Sequence, residues 1–289
     1  MTLRDPPDER TIEALLGFGV VNLDKPPGPT SHQVSAWVRD LAGLDRAAHA
    51  GTLDPRVTGC LPVLLGDATR LAEATLGRKE YVSVLELHGD APSDLESVLA
   101  TFVGPIYQKP PRKSAVSRQL RVREIYAVDV LDQEGRKVLL RIACESGTYV
   151  RKLCHDLGLA LGTGANMGDL RRTASEPFDD STLSTLHDLT DALAWADEGD
   201  ETALRELVSP AERAIEHLPS LTIAESAARE VAEGAPVYAP GVIEGPEPQD
   251  DEPLVACYTP DGSAVCLGRL VGDPAAVSGT VVDLERVLV

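Results

Sequence analysis

The stretch His49-Ala-Gly-Thr-Leu-Asp-Pro-Arg-Val-Thr-Gly59 is the segment around which the rest of the chain can be interpreted, because it places one carboxylate in a loop of unusual composition. Gly51 permits turns that other residues avoid, and Pro55 has a fixed φ. Pro55 also biases Asp54 toward an extended backbone, which can hold its side chain out into a cleft. An Asp-Pro turn on the surface is the alternative, and this segment alone does not exclude it.

The segments on either side of this loop alternate between strands and helices. Residues 19–24 form a predicted strand, residues 25–31 a proline-rich turn, and Ser31 is the predicted N-cap of a helix over 32–43. The remaining pattern predicts strands at 60–65, 79–89, 122–131 and 138–144, and helices at 11–18, 67–76, 94–102, 149–158, 182–193, 211–217 and 223–233.

A composition shift near residues 195–220 divides the 289-residue chain into two parts. We predict an α/β (α+β) catalytic domain over 1–218, with an N-terminal extension over 1–19. Its core is a mixed, largely antiparallel sheet crossed by the active cleft. Residues 219–289 are rich in valine, glycine and proline and predict a small β-barrel domain.

The chain is strongly acidic, with a net charge of −19. Residues 181–289 carry 21 acidic residues against 5 arginines, and the whole chain has only 6 lysines against 21 arginines. Acidic, lysine-poor composition is typical of proteins from a salt-accumulating cytoplasm, where concentrated salt screens surface charge within about 3 Å. Nucleic-acid binding is therefore not excluded by the overall charge.

Cysteine usage and the first residues favour a cytoplasmic protein. The five cysteines form no CxxC pair and have no histidine at metal-ligand spacing, so we interpret them as reduced thiols and expect no metal. The charged, proline-bearing start does not resemble a signal peptide, and no apolar run approaches the ~18 residues of a membrane span.

Six motifs, in order, resemble those of the TruB-type pseudouridine synthases. The His49–Gly59 loop resembles the family's catalytic loop, and the other five resemble its KPxGxTSH, LPVxxGxATR, KxY, SGTYxR and late leucine-arginine motifs. They lie at Lys25–His32, Leu61–Arg70, Lys79–Tyr81, Ser146–Arg151 and Leu170–Arg172. Residues 219–289 more loosely resemble a PUA domain, a small RNA-binding barrel.

The resemblance implies an enzyme that isomerises uridine in RNA and needs no cofactor. It assigns Asp54 as the catalytic carboxylate, Tyr81 as the residue that stacks on the flipped base, and Arg151 as the partner of Asp54. Leu170 would pack against the target base. Lys25 would support the loop and His49 would contact RNA.

Residues 106–125 carry six cations against one acid and form the predicted RNA footprint. A solvated basic face is the alternative for such a run. The extension RQLRVR after the family's PPxxSA core resembles the guide-dependent, dyskerin-type branch, and the missing lysine-rich tails favour its archaeal form. The footprint residues are Lys109, Arg112, Lys113, Arg118, Arg121 and Arg123.

The guide-dependent branch implies a box H/ACA guide RNA as partner. It also implies small zinc-ribbon-type, GAR-domain and kink-turn-binding proteins, and rRNA or tRNA targets. Two alternatives stay open: a stand-alone TruB-type tRNA pseudouridine synthase, and a non-catalytic RNA-binding scaffold. The sequence identifies neither the target uridines nor the choice between a covalent and a glycal mechanism.

Overall fold

A ten-stranded sheet organises the larger part of the protein. The structure, a computed structural model, describes residues 3–110, 119–247 and 251–289. The strands of the large sheet are β1 (Phe18–Lys25), β2 (Ala47–His49), β3 (Thr58–Gly66), β4 (Lys79–Leu87), β5 (Gly104–Gln108), β6 (Arg121–Glu134), β7 (Lys137–Cys144), β8 (Ala165–Ser175), β9 (Phe178–Asp179) and β10 (Val208–Pro210).

The strand order brings distant motifs together. The main path is β10-β1-β3-β8-β4-β7-β6-β5, with β2 paired to β3 and β9 to β8. Only the β3–β8 pair is parallel in this sheet as described, which confirms the predicted mixed, largely antiparallel sheet. Because β8 lies between β3 and β4, the end of the catalytic loop, the KxY motif and the leucine-arginine motif become neighbours.

Seven α-helices accompany the two sheets in the part of the chain that the structure describes. The segments 67–76 and 211–217, predicted as helices, form only single 3-10 turns at Asp67–Leu71 and Ala211–Ile215. The helices are α1 (Ile12–Gly17), α2 (Ser31–Leu41), α3 (Leu95–Ala100), α4 (Val150–Ala160), α5 (Leu186–Asp197), α6 (Thr202–Leu207) and α7 (Glu225–Ala232).

Two helix starts differ from the predictions for the same physical reason. Thr30, and not Ser31, caps α2, because Thr30 and Gln33 form a reciprocal capping box. Thr185 and Asp188 form the same arrangement at α5, so this helix begins after residue 182. In both cases the pair of side chains that satisfies the first free N–H groups fixes the start.

The six-stranded sheet is a nearly closed, barrel-like structure, as predicted for the C-terminal part. Its order is β12-β16-β15-β14-β11-β13, and its interior holds buried aliphatic and cysteine side chains. The strands are β11 (Ser220–Ile223), β12 (Val237–Tyr238), β13 (Val242–Glu244), β14 (Leu254–Tyr258), β15 (Ala264–Leu270) and β16 (Thr280–Val287).

The two sheets share a buried apolar cluster. Phe18 and Leu64 of the large sheet are fully buried in this cluster together with Ala256 and Leu288 of the C-terminal part. The domain boundary at residue 219 remains a prediction, and this cluster shows that the two parts pack directly on each other. No helix among the described residues is long and apolar enough to span a membrane.

The segment from Arg4 to Arg10 contacts both parts of the molecule. Arg4 donates to the carbonyl of Leu288 and lies 4.2 Å from the centre of the Phe18 ring. Arg10 makes a two-pronged ion pair with Glu212, at 2.7 and 2.8 Å. This segment, predicted as an extension of the N-terminal domain, therefore bridges the two parts of the molecule.

Candidate active site

Asp54 lies in the loop 50–57, between β2 and β3, and the backbone beside it is held by a buried serine. The Ser31 hydroxyl accepts from the N–H of Leu53 at 2.8 Å and is 3.1 Å from the Leu53 carbonyl, to which it donates. Sequence reasoning gave Ser31 only the role of a helix cap, which Thr30 fills instead. Ser31 thus anchors the catalytic loop to the start of α2.

Lys25 holds the other side of the loop. Its ammonium donates to the carbonyls of Pro55, Val57 and Pro26 at 3.0, 2.9 and 3.0 Å, so all three of its N–H groups are used. The side chain is fully buried, and burial lowers the pKa of Lys25. The predicted supporting role of Lys25 stays a prediction, and these three bonds are its structural basis.

Asp54 and Arg151 form an ion pair, although they lie far apart in sequence. Arg151 is the second residue of α4, and this helix brings it over the loop. Both side chains are more than half exposed, at 56% and 57%. The guanidinium is always charged and matches a carboxylate well, so Asp54 is an accessible carboxylate beside a fixed positive charge.

Tyr81 and Leu170 lie on the neighbouring strands β4 and β8. Tyr81 is 9% exposed and belongs to the main core cluster, against which Leu170 also packs. Burial raises the pKa of Tyr81, so its hydroxyl is protonated at neutral pH. An apolar wall and a protonated phenol suit a flipped pyrimidine base, which must be stacked and bonded at its polar edge.

His49 ends β2, at the entry to the loop, and its ring contacts a second histidine. Nε2 of His49 is 3.4 Å from Nδ1 of His32, which lies in the first turn of α2, and the rings meet edge to face. Burial lowers the pKa of His49, and His32 and Arg172 lower it further. The predicted RNA contact of His49 would therefore be made by a neutral imidazole.

Sequence reasoning missed Arg172, which lies directly beneath the loop. It is 1% exposed. Its Nε donates to the Cys60 carbonyl at 2.7 Å and its Nη2 to the Gly51 carbonyl at 3.2 Å. Its position in the leucine-arginine motif was the available signal, but nothing in the sequence placed it under residues 50–57.

The predicted RNA footprint is only partly described by the structure. Arg112, Lys113 and Arg118 lie outside the described residues. Lys109 is exposed. Arg121 begins β6 and is partly buried.

Arg123 also lies on β6 and is mostly used in an internal contact. It pairs with Glu145 at 3.0 Å. Its guanidinium also lies beside Gly147 in the turn before α4, where an added Cβ would be 3.3 Å from Nη2 of Arg123. This contact stabilises the turn that leads to Arg151. Across the described ranges, no three His, Cys, Asp or Glu side chains are grouped to hold a metal ion.

The comparisons with known proteins define the class of this protein. Residues 39–150 match the description "TruB family pseudouridylate synthase (N terminal domain)". Residues 151–216 match "tRNA pseudouridylate synthase B C-terminal domain", and residues 5–35 match the "DKCLD (NUC011) domain". The protein is an RNA pseudouridine synthase.

Relatives from several archaea extend this likeness over the whole chain. A protein named "Probable tRNA pseudouridine synthase B" from Halobacterium salinarum is 66% identical, with 100% of both chains covered. The proteins of that name from Haloarcula marismortui and Pyrococcus furiosus are 65% and 47% identical; they cover 100% and 98% of this chain and 94% and 85% of their own lengths. The chain belongs to the TruB family of pseudouridine synthases.

Solved structures identify the branch of the family. The structure titled "Crystal Structure of a Cbf5-Nop10-Gar1 Complex" matches with a TM-score of 0.94 and 46% identity, over 99% of this chain and 90% of that one. "Structure of H/ACA RNP bound to a substrate RNA containing 2'-deoxyuridine" matches with a TM-score of 0.92 and 44% identity, over 99% and 90%. The chain therefore has the Cbf5, or dyskerin-type, form of the family fold.

Proposed function

We propose that this protein is the catalytic subunit of an archaeal H/ACA guide RNA–protein complex that converts uridines of rRNA to pseudouridine in the cytoplasm. The observation that carries the catalytic part is the exposed Asp54 carboxylate, which is paired with Arg151. Its loop is held by the hydrogen bonds of Lys25 and Ser31. Support for the complex is the likeness of 99% of the chain to Cbf5 in its assembly with Nop10 and Gar1.

In this proposal the chemistry follows from the placement of the side chains. The target uridine is flipped out of its strand, the N1–C1′ bond breaks, and the base turns and rejoins the sugar through C5. C5 then loses its proton and N1 gains one, so the product is an isomer of the substrate. Asp54 acts near C1′ as a nucleophile or an electrostatic stabiliser. Tyr81 and Leu170 hold the base, and Arg151 holds the carboxylate.

The two parts of the chain divide the RNA between them in this proposal. Residues 219–289 form a PUA-type RNA-binding domain that holds the guide RNA. Lys109, Arg121 and the other cations of the 106–125 segment contact the target strand. In addition to the guide RNA, the partners are small zinc-ribbon-type, GAR-domain and kink-turn-binding proteins.

A stand-alone tRNA pseudouridine synthase is the second candidate function. The observation that favours it is the name of the relatives at 66% and 65% identity, each called a probable tRNA pseudouridine synthase B. A pairing of guide RNA with target would be unnecessary in that case.

An assay with and without guide RNA separates the two candidates. The purified protein, in concentrated potassium chloride, is given a labelled target RNA or tRNA, with or without a matching H/ACA guide and the partner proteins. Pseudouridine formed only with the guide supports the first proposal. Product on tRNA alone, without any effect of the guide, supports the second.

Replacement of the catalytic carboxylate tests the role of Asp54. We expect Asp54→Asn to reduce the single-turnover rate by more than about 1,000-fold, because an amide supplies no negative charge at C1′. RNA binding should stay near that of the wild type. Asp45→Asn, at an exposed carboxylate before the loop, is the matched control. An active Asp54→Asn variant would exclude Asp54 as the catalytic group. A scaffold would be favoured if the wild type makes no product in any mixture and Asp54→Asn equals it in RNA binding and assembly.

A further inference from the structure

Two buried cations, Arg172 and Lys79, lie beside Gly51 of the catalytic loop. A Cβ added to Gly51 would be 3.4 Å from Nη1 of Arg172 and 3.8 Å from Cε of Lys79. Both side chains are at most 2% exposed. No carboxylate pairs with either cation among the described residues.

Burying an unpaired guanidinium is costly unless its N–H groups find acceptors. Arg172 finds them in the loop and in the strand that leaves it, at the carbonyls of Gly51 and Cys60. These two bonds tie β8 to the catalytic loop and to β3. Tyr81 on β4 is the register partner of Arg172 in the sheet.

We propose that Arg172 is a positioning residue of the active site, which holds the loop of Asp54 against the strands beneath it. The inference rests on the role proposed above for Asp54. Arg172 bonds the loop at Gly51 and the strand that leaves the loop at Cys60.

The chemistry of a guanidinium suits this arrangement. Arginine has five N–H donors and no acceptor, so Nε and Nη2 can donate to two carbonyls at once. Arg172 thereby fixes Gly51, at the start of the loop, relative to Cys60, which follows the loop.

Conservative variants of Arg172 test the proposal. Arg172→Lys retains the charge but lacks the planar pair of donors that reaches both carbonyls, and Arg172→Gln retains an amide donor without the charge. We expect the single-turnover rate to fall by at least about tenfold in either variant, because small displacements of reacting groups have effects of this size. RNA affinity should change by less than about twofold, since Arg172 contacts no solvent-exposed surface.

The neighbouring residue supplies the matched control. Arg171 lies on the same strand, but its guanidinium pairs with Asp24 at 2.8 and 2.9 Å, away from the loop. Arg171→Lys is expected to retain the wild-type rate. Tryptic cleavage after the exposed Arg56 gives a readout of loop order that does not depend on activity, and it should accelerate in Arg172→Lys only.

A further variant keeps the proposal testable if neither Arg172 variant folds. Gly51→Ala leaves the arginine unchanged, but its Cβ would lie 3.4 Å from Nη1 of Arg172, at a φ of +93° that side chains rarely adopt. It should therefore disturb the loop, lower the single-turnover rate and accelerate cleavage after Arg56. A wild-type rate and wild-type cleavage in Gly51→Ala would overturn the proposal.

Failure of this inference differs from failure of the proposed function. If the wild type makes no pseudouridine in any mixture, the proposed function is wrong. If the wild type is active, Arg172→Lys is folded and its rate and Arg56 cleavage match the wild type, only the positioning role of Arg172 is wrong.

Discussion

Single buried residues determine much of the electrostatics near the catalytic loop. Lys79 is the clearest example, since its ammonium has one bond, to the Thr75 carbonyl at 3.2 Å. Burial, and then the nearby Arg172, lower the pKa of Lys79 from 10.5 to about 8. The folded protein therefore releases this proton at a lower pH than the unfolded chain does.

This difference predicts a pH dependence of stability that Lys79 alone causes. Between about pH 8 and pH 10.5 the unfolded chain binds one more proton than the folded chain, so stability rises with pH in that window. Relative to Lys79→Met, the unfolding free energy of the wild type should rise by about 2–3 kcal/mol between pH 7 and pH 10. Denaturant unfolding at several pH values measures it.

The Lys79→Met variant is also the control for other groups that titrate at alkaline pH. Burial raises the pKa of the Cys60 and Cys144 thiols to about 11, and both thiols are present in the two proteins. Their contribution therefore cancels in the difference. Parallel pH curves for the two proteins would show that Lys79 has an ordinary pKa.

At the same scale, sequence reasoning found some residues of the site and missed others. Asp54 and Lys25 could be proposed as site residues because they stand in motifs that resemble those of the family. Arg172 and Ser31 were not assigned a role in the site, because each acts through a contact with the loop 50–57, which is distant from it in sequence. Such contacts depend on tertiary structure, which local spacing does not contain.

At the scale of elements, the strands with alternating burial were predicted well. The pattern of β4 alternates between buried and partly exposed residues along its whole length, which is the signal that sequence reasoning uses. The strand β8 was missed, since it carries Asp169, Arg171 and Arg172 in the middle of a short, irregular pattern. Its two arginines can lie inside the sheet because Arg171 pairs with Asp24 and Arg172 donates to the carbonyls of Cys60 and Gly51.

The contact between α4 and β8 predicts the effect of a methyl group. A Cβ at Gly158 would lie 2.1 Å from the backbone nitrogen of Ala165, where something must shift. We expect Gly158→Ala to lower the unfolding free energy by about 2–3 kcal/mol. Activity should fall as well, because α4 carries Arg151. Thermal unfolding and the single-turnover assay measure the two effects.

Gly17 is the matched control for this prediction. It ends α1, and a Cβ there would meet nothing within 4 Å. Gly17→Ala should leave stability unchanged or raise it by up to about 1 kcal/mol, the helix preference for alanine. A Gly158→Ala variant as stable as Gly17→Ala would mean that α4 is free to move away from β8.

At the scale of the whole molecule, one buried ion pair joins segments from three regions. Arg10 is 2% exposed, and its partner Glu212 also accepts the backbone N–H of Ala264 at 3.0 Å. Breaking such a pair leaves a buried charge without a partner. Arg10→Met should therefore lower the unfolding free energy by about 3–5 kcal/mol, measured by denaturant unfolding in concentrated salt.

A second substitution tests the cause of that loss. Glu212→Gln in the Arg10→Met background removes the unpaired charge but keeps an oxygen for Ala264, so part of the stability should return. A double variant no more stable than Arg10→Met would indicate that the loss comes from the packing of the arginine side chain.

The contacts of residues 3–10 also set an order for the events of protein synthesis. Arg4 and Arg10 are translated long before Leu288 and Glu212, to which they bond. Contacts separated by 284 and 202 residues form late, because the intervening chain must be made first. The bond between Arg4 and Leu288 therefore joins the two parts of the molecule only after the strands of the barrel have been synthesised.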